Sequence, residues 1–267
     1  MNTKPSYLSE EHARAFQDPT VADAYQYRPR YPHSVVKFLS SLVRDTPRRI
    51  LDAGCGTGFL SRRLVQIADG VDAVDFSAAM IERGRRLPNG AHPSLRWIVG
   101  RMEDVAVSGP YALITCADSL HWMTWDVVLP RFARLLAPNG VLAILEISEM
   151  PTPWHDGLRE IIRAFSTNQN YQPVDLGAEL ARRGLFAGDG RRRLGPTPFT
   201  QPLEAYIESF HGRAAFSRAR MAPADASAFD QAVRDIVAPH IGETVTLQVF
   251  TDVIWGKPVG QGEGVTG

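Results

Sequence analysis

Apolar residues recur along this chain in two rhythms that take turns. Short runs at 71–75, 95–99, 111–116 and 141–145 are apolar enough, and of the right length, for buried strands, and Ile50 and Leu51 read as the end of another. Between them apolar residues fall three and four apart, as one helix face requires. Val35, Val36, Leu39 and Leu42 do so within 33–43; Phe59, Leu60, Leu64, Val65 and Ile67 do so after residue 58. A further helix is predicted at 78–86 behind Ser77, a candidate N-cap, and another at 124–137 with Val127, Val128, Phe132, Leu135 and Leu136. Strands alternating with helices predict an α/β fold, a doubly wound, Rossmann-like sheet covered on both faces. Ahead of it, 11–25 has helical spacing through Ala13, Phe16, Val21 and Ala24, and Pro29 and Pro32 then force extended backbone.

Beyond Met150 the rhythm changes. Pro151-Thr152-Pro153-Trp154 opens a region with one helix at 158–165 and a polar stretch at 166–172. Arg191-Arg192-Arg193 reads as a solvated face, 197–200 as a strand end, and 202–210 as a helix. Residues 245–255 alternate one by one, as a last strand does. The expectation is a single domain over 1–258. It divides into an N-terminal helical lid (1–44), a core (45–150), a cap inserted after the fifth strand (151–195), and cap helices with the last strand (196–258). The Gly-rich tail, 259–267, is expected to be disordered.

The chemistry starts at Asp52-Ala53-Gly54-Cys55-Gly56-Thr57-Gly58, between a strand and a helix. Glycine reaches positive φ and has no Cβ, so such a turn can be tight and a ligand can lie against it. The helix that follows is expected to point free N–H groups into the turn. A dinucleotide site wants G-x-G-x-x-G, with a pyrophosphate on that helix terminus. Here the third glycine comes one residue early, and Asp52 would repel a pyrophosphate and attract a cation. Asp-x-Gly-x-Gly-x-Gly resembles motif I of the class I S-adenosylmethionine methyltransferases, whose ligand carries an ammonium and no phosphate.

Asp75 ends the second strand about twenty residues past the turn, where an acid can accept two ribose hydroxyls. Phe76 beside it can cover the adenine. The segment 25–32 is either an aromatic surface linker or a lid whose Tyr25 and Arg28 offer hydrogen bonds to a carboxylate. Its string Val21-Ala22-x-x-Tyr25-x-x-Arg28-Pro29-x-Tyr31-Pro32 resembles the N-terminal signature of the type-11, trans-aconitate methyltransferase-like group, which favours the lid. The Leu-x-Pro-x-Gly-x-Leu corner around Pro138-Asn139-Gly140 is similar to that core as well.

This resemblance covers nearly the whole chain and implies a seven-stranded sheet with a reversed last strand. It implies S-adenosylmethionine as cofactor and S-adenosylhomocysteine as product. The cofactor would lie along Asp52, Gly54, Cys55, Gly56 and Gly58. Met102 would pack on the adenine, Glu103 (or Asp104 beside it) would accept from the exocyclic amine, and Ala117 would lie near the methionine part. His121-Trp122 resembles the group's signature after the fourth strand. His121 is a candidate base or substrate-orienting residue, and a structural histidine is the alternative. Trp122, Trp154 and His211 are candidates for the acceptor pocket; His211 also reads as a helix cap. The region 151–193 matches no motif.

Composition narrows the function classes. The chain has 267 residues, 29 basic and 29 acidic, and only three lysines, Lys4, Lys37 and Lys257. Balanced charge and the lack of an Asn-Pro-Pro-Tyr motif argue against nucleic acid as partner. No run reaches membrane-spanning length, and the polar start is no signal peptide, so neither a membrane nor export is expected. Cys55 and Cys116 have no metal-ligand spacing and are not expected to pair, which fits a reduced, cytoplasmic setting; no metal is expected. The arginine- and alanine-rich composition fits a bacterial genome. The expected function is methyl transfer to a small organic acceptor, in secondary metabolism, by a monomer or homodimer. The alternative is a protein that binds the same cofactor without transferring its methyl group. A carboxylate acceptor needs no base at neutral pH; a phenol, amine or aromatic carbon would use His121. Arg28 or Arg213 at the pocket would favour an acid, and Trp122, Trp125, Trp154 and Phe199 a planar acceptor.

Overall fold

A computed structural model describes residues 4–5, 8–172 and 174–260. Its strands are β1 (Arg49–Ala53), β2 (Gly70–Asp75), β3 (Leu95–Val99), β4 (Tyr111–Ala117), β5 (Leu136–Glu149), β6 (Phe186–Pro202) and β7 (Thr244–Pro258). They form one sheet of order β3-β2-β1-β4-β5-β7-β6. The first five are parallel, β7 runs antiparallel to β5, and β6 antiparallel to β7, so the last strand is reversed as expected. The helices are α1 (Glu10–Ala13), α2 (Pro19–Ala24), α3 (His33–Leu42), α4 (Ser61–Leu64), α5 (Ala78–Arg85), α6 (Trp125–Leu135), α7 (His155–Phe165), α8 (Leu176–Arg182), α9 (Leu203–His211) and α10 (Pro223–Val237).

Alternation along each strand divides the core into two layers. Ile50, Leu113 and Ala143 pack with Val35 and Leu39 of α3 and Leu64 of α4. Their neighbours Leu51, Ile114 and Ile144 face the other way, onto Val128, Leu129 and Phe132 of α6. That two-sided burial is why the strands read as continuous apolar runs. Each fully buried Val, Leu, Ile or Phe side chain among them contributes about 1.5–3 kcal/mol. A third cluster lies apart: Leu158, Ile162 and Phe165 of α7 pack with Tyr206 and Phe210 of α9, Phe229 and Val233 of α10, and Val245, Leu247 and Val249 of β7.

Several expectations need correction. The single helix over 11–25 is broken into α1, a 3-10 turn (Arg14–Gln17), α2 and a second 3-10 turn (Tyr25–Tyr27). Pro19 cannot donate to a helix running through it, and extended Asp18 instead caps α2 by accepting from Thr20 N at 2.8 Å. The helix after the glycine turn is the four residues of α4, because positive φ at Gly56 (54°) and Gly58 (72°) delays helical geometry. The cap does not follow 151–195: Leu176 and Leu180 of α8 and Phe186 of β6 pack in the sheet's core, so α8 and β6 belong to it. The rest of the cap, α9 and α10, enters between β6 and β7, and α10 was not anticipated. The arginine run is exposed, as a solvated face should be, but it lies within the 17-residue strand β6, where Arg193 pairs with Asp252 of β7 at 2.7 Å. The tail expected to be disordered lies, from residue 261 on, outside the described residues.

Both cysteines are buried and free. Among the described residues no helix is long and apolar enough to cross a membrane, and no cluster of His, Cys, Asp and Glu could hold a metal ion.

Candidate active site

β1 and β4 are neighbours, but the chain leaves β1 for β2 on one side and β4 for β5 on the other. At such a switch point the carboxyl ends part and leave a crevice. The glycine turn enters it from β1, Asp75 from β2, and residues 117–123 from β4.

Four of the turn's amides are engaged within the protein. Gly54 N and Cys55 N both donate to Val74 O at 2.9 Å, Gly58 N to Cys55 O at 2.8 Å, and Gly56 N to Asp75 Oδ2 at 2.7 Å. Those four are therefore not free to cradle a pyrophosphate, and the four-residue α4 presents no extended terminus. The expectation that the following helix points free N–H groups into the turn is corrected too: Arg62 N donates to Gly58 O at 3.1 Å, and Arg63 N and Leu64 N donate to Leu60 O at 2.9 and 3.0 Å. What the turn holds is Asp75, whose Oδ1 also accepts from Ser77 N at 2.8 Å. Burial pushes this carboxyl up to about 6, against the pull of its two N–H donors. Each oxygen keeps acceptor capacity beyond its one backbone donor. Gly54 is required twice over: its φ is +72°, and a Cβ there would fall 2.5 Å from that of Ser119.

Asp75 lines a cavity of about 670 Å³ together with Phe76, Met102, Glu103, His121 and Trp122. A second cavity, about 360 Å³, is lined by Asp52, Cys55, Ala117, Glu149 and Arg159 among others. Tyr25, Arg28, Gly54, Asp118, Ile162 and Arg213 line both, so the two spaces meet there. The arrangement suits a nucleoside beside an amino-acid tail: an acid with acceptor capacity for ribose, bare glycine backbone, apolar walls for a base, then charged groups of both signs.

The junction is held by interlocking contacts. Tyr25 stacks on Phe59, with centroids 5.6 Å apart, and the Arg28 guanidinium lies 4.9 Å from the Tyr25 ring centroid. Asp118 adopts φ +49°, a conformation that non-glycine residues seldom take. Its carboxylate accepts from Tyr31 OH at 2.7 Å and Ile147 N at 3.3 Å. Burial raises its pKa, and Arg28 pulls the other way. Asp52 accepts from Thr115 Oγ1 at 2.8 Å and from Ser61 Oγ, and burial raises it too. Arg213 lies 4.8 Å from the Phe210 ring centroid and 3.8 Å from Glu149, and its buried Nε has no partner among the described residues.

Most of the expected residues thus converge on the two cavities; Gly58, Trp125, Trp154, Phe199 and His211 line neither. At Gly58 the missing Cβ makes room for Trp97, which would lie 2.4 Å away. Trp125 is buried, its Nε1 donating to Leu120 O at 2.9 Å, and Phe199 packs on the third cluster. Trp154 is buried in the cap, its Nε1 donating to Tyr206 OH at 3.3 Å. His211 has both ring nitrogens engaged, Nδ1 with Phe216 O and Nε2 with Asp230 Oδ1, each at 2.7 Å. Glu103 is at the cavity, but one of its oxygens accepts from Thr124 N at 2.8 Å. His121 is pushed down to about 4 by burial, aided by Arg28 and Lys4. Such a ring is neutral at pH 7 and weakly basic, far from the match to operating pH that favours a general base. Leu8, Glu10, Arg14, Phe16 and Gln17 also wall the larger cavity, and nothing local in an arm that reads as a packing helix marks them.

Comparison with known proteins agrees with this architecture. Residues 50–140 match a family model described as a methyltransferase domain. An uncharacterised methyltransferase of Schizosaccharomyces pombe is 26% identical over 196 residues, 72% of this chain and 74% of that protein. Trans-aconitate 2-methyltransferase of Pseudomonas paraeruginosa is 35% identical over 127 residues, covering 46% of this chain and 42% of the relative. Malonyl-[acyl-carrier protein] O-methyltransferase of Halalkalibacterium halodurans is 34% identical over 122 residues, 41% of this chain. This chain spans less than half the length of those last two relatives. A structure described as a type II methyltransferase from Anaeromyxobacter dehalogenans superposes with a TM-score of 0.62 at 20% identity, over 88% of this chain and 99% of the other.

Proposed function

We propose that the chain is a class I S-adenosylmethionine-dependent methyltransferase and that it transfers a methyl group from this cofactor to a small organic acid, a reading supported by the methyltransferase-domain match and the relatives described above. The observation that carries the proposal is the junction: a nucleoside-sized cavity opens into a second, charged one at Tyr25, Arg28, Gly54, Asp118 and Arg213. Asp75 accepts the ribose hydroxyls, Phe76 and Met102 flank the adenine, and the remaining capacity of Glu103 takes its amine. Asp52 receives the amino group, Tyr25 and Arg28 the carboxylate, and Ala117 borders the methionine chain.

The bound cofactor supplies a methyl group already activated by its sulfonium. The protein then has to bring an acceptor into line and exclude water, and orientation of this kind is worth several kcal/mol of barrier. Three features favour an acid as that acceptor. Burial and the nearby Arg28 both disfavour the charge on Arg213, while Glu149 at 3.8 Å favours it. An anion at the junction would relieve Arg213. His121 is too weakly basic to deprotonate a phenol or an ammonium efficiently, whereas a carboxylate is already ionised at neutral pH. The relatives named for trans-aconitate and for a malonyl conjugate point the same way.

The test has two stages. Calorimetry should show S-adenosylhomocysteine binding. With S-adenosylmethionine present, formation of S-adenosylhomocysteine should then depend on di- or tricarboxylic acids rather than on phenols or amines. Turnover confined to phenols or amines would overturn the acid acceptor. Tight binding with no turnover across all three classes would leave a cofactor-binding protein that transfers nothing.

A further inference from the structure

The N-terminal arm is fastened to both sides of the larger cavity, by different bonds. On the Asp75 side, Ser77 Oγ donates to Phe16 O at 2.6 Å, and the same Ser77 gives its backbone N–H to Asp75. On the opposite side, Lys4 Nζ donates to Trp122 O at 2.7 Å and Met123 O at 3.2 Å, with His121 O at 3.5 Å. Those carbonyls end the 3-10 turn Leu120–Trp122 that carries His121 and Trp122 into the cavity. The last carbonyls of a helical turn lack intrahelical donors, and a primary amine with several N–H groups can serve three at once. Desolvating an amine is costly unless it is so used. Burial indeed lowers the Lys4 pKa, with Glu103 and Glu10 acting to raise it and Arg101 to lower it further. Between the two fastenings, Leu8 is buried against the core and Phe16 meets Trp122 edge-on at 5.8 Å.

We propose that Lys4 is a positioning residue: it clamps the His121–Trp122 turn to the N-terminal arm, so that covering the nucleoside and presenting these two side chains are one event. The proposal rests on the larger cavity being the cofactor site. Lys4 touches no reacting atom. It acts by fixing three carbonyls, which fixes the direction in which the turn holds its side chains. A cofactor leaving under the arm would loosen the turn, and a loosened turn would weaken cofactor binding in return.

The test compares the full chain with its Lys4→Met and Lys4→Arg variants. Lys4→Met should speed hydrogen exchange at the amides of Trp122 and Met123 in the ligand-free protein. It should also weaken S-adenosylhomocysteine binding roughly tenfold and raise the cofactor KM more than it lowers kcat, with little change in melting temperature. Lys4→Arg, which keeps several donors on a long stem, should restore most of each effect. Unchanged exchange and affinity in Lys4→Met would overturn the clamp, and so would failure of Lys4→Arg to restore them. If the parent protein binds no S-adenosylhomocysteine, the functional reading fails instead, and the exchange measurement still decides whether Lys4 holds the turn.

Discussion

Asp75 does two jobs with one carboxylate, ordering the glycine turn through Gly56 N and facing the cofactor cavity. Because burial raises it to about 6, its charge is lost over a mildly acidic range. Affinity for S-adenosylhomocysteine should therefore fall as pH drops through 6. An Asp75→Asn variant should bind at least tenfold more weakly at pH 7.5 and show a weaker dependence, that of Asp52 remaining, which calorimetry across pH would reveal. Arg213 is a matter of ground-state attraction. A carboxylate loses its charge as it is methylated, so the guanidinium binds it best before reaction. Arg213→Met should raise the acceptor KM by about 10–100-fold, the loss of a charged hydrogen bond, with a smaller change in kcat. The roles of Asp52 and Asp75 could be proposed from sequence because their spacing from the glycines places them at strand ends. Those of Trp154 and His211 could not. Their partners, Tyr206 and Asp230, lie dozens of residues or a whole helix away, so nothing nearby signals that their polar atoms are engaged.

At the scale of elements, α5 depends on Ser77 in two ways. Its Oγ accepts from Met80 N at 3.1 Å as the N-cap and donates to Phe16 O. Ser77→Ala should cost about 1–2 kcal/mol through the cap, and should also free one end of the arm. A melting temperature lower by a few degrees, together with weaker cofactor binding, is the expected result. The strands and helices of 33–145 were legible because two-sided burial and one-sided burial leave different periods in the chain. α10 was missed although Ala226, Phe229, Val233 and Val237 follow helical spacing; an alanine-diluted pattern is faint when its partners are unknown. β6 was obscured for another reason. Its outward side chains are arginines and prolines, and its inward signal is thinned by irregular register between Leu194 and Thr197.

For the molecule as a whole, the strands are tied together away from the cavities by Asp72. It accepts from Arg96 Nε at 2.7 Å, Arg49 Nη2 at 3.1 Å and Tyr111 OH at 2.5 Å, joining β1, β2, β3 and β4. Burial pushes this carboxyl up, but the hydrogen bonds from Arg96 and Tyr111 outweigh it and leave it below its ordinary value. A depressed acid stabilises the fold above its unfolded pKa, and that contribution is lost as pH falls through the folded one. Asp72→Asn should therefore lower stability by about 2 kcal/mol at pH 7, the arginines being partly exposed. In urea titrations the gap should begin to close as the pH drops below the ordinary carboxylate value, about 4, and vanish only below the lower value that Asp72 has in the fold.

The outermost strands carry a consequence for encounters between molecules. β3 is five residues long, and β6 carries three consecutive arginines and prolines at 196, 198 and 202. A proline offers no amide to a newcomer, and a row of like charges repels its own image. Two molecules approaching flank to flank would meet no continuous rail of backbone on which to zip together, however crowded the solution.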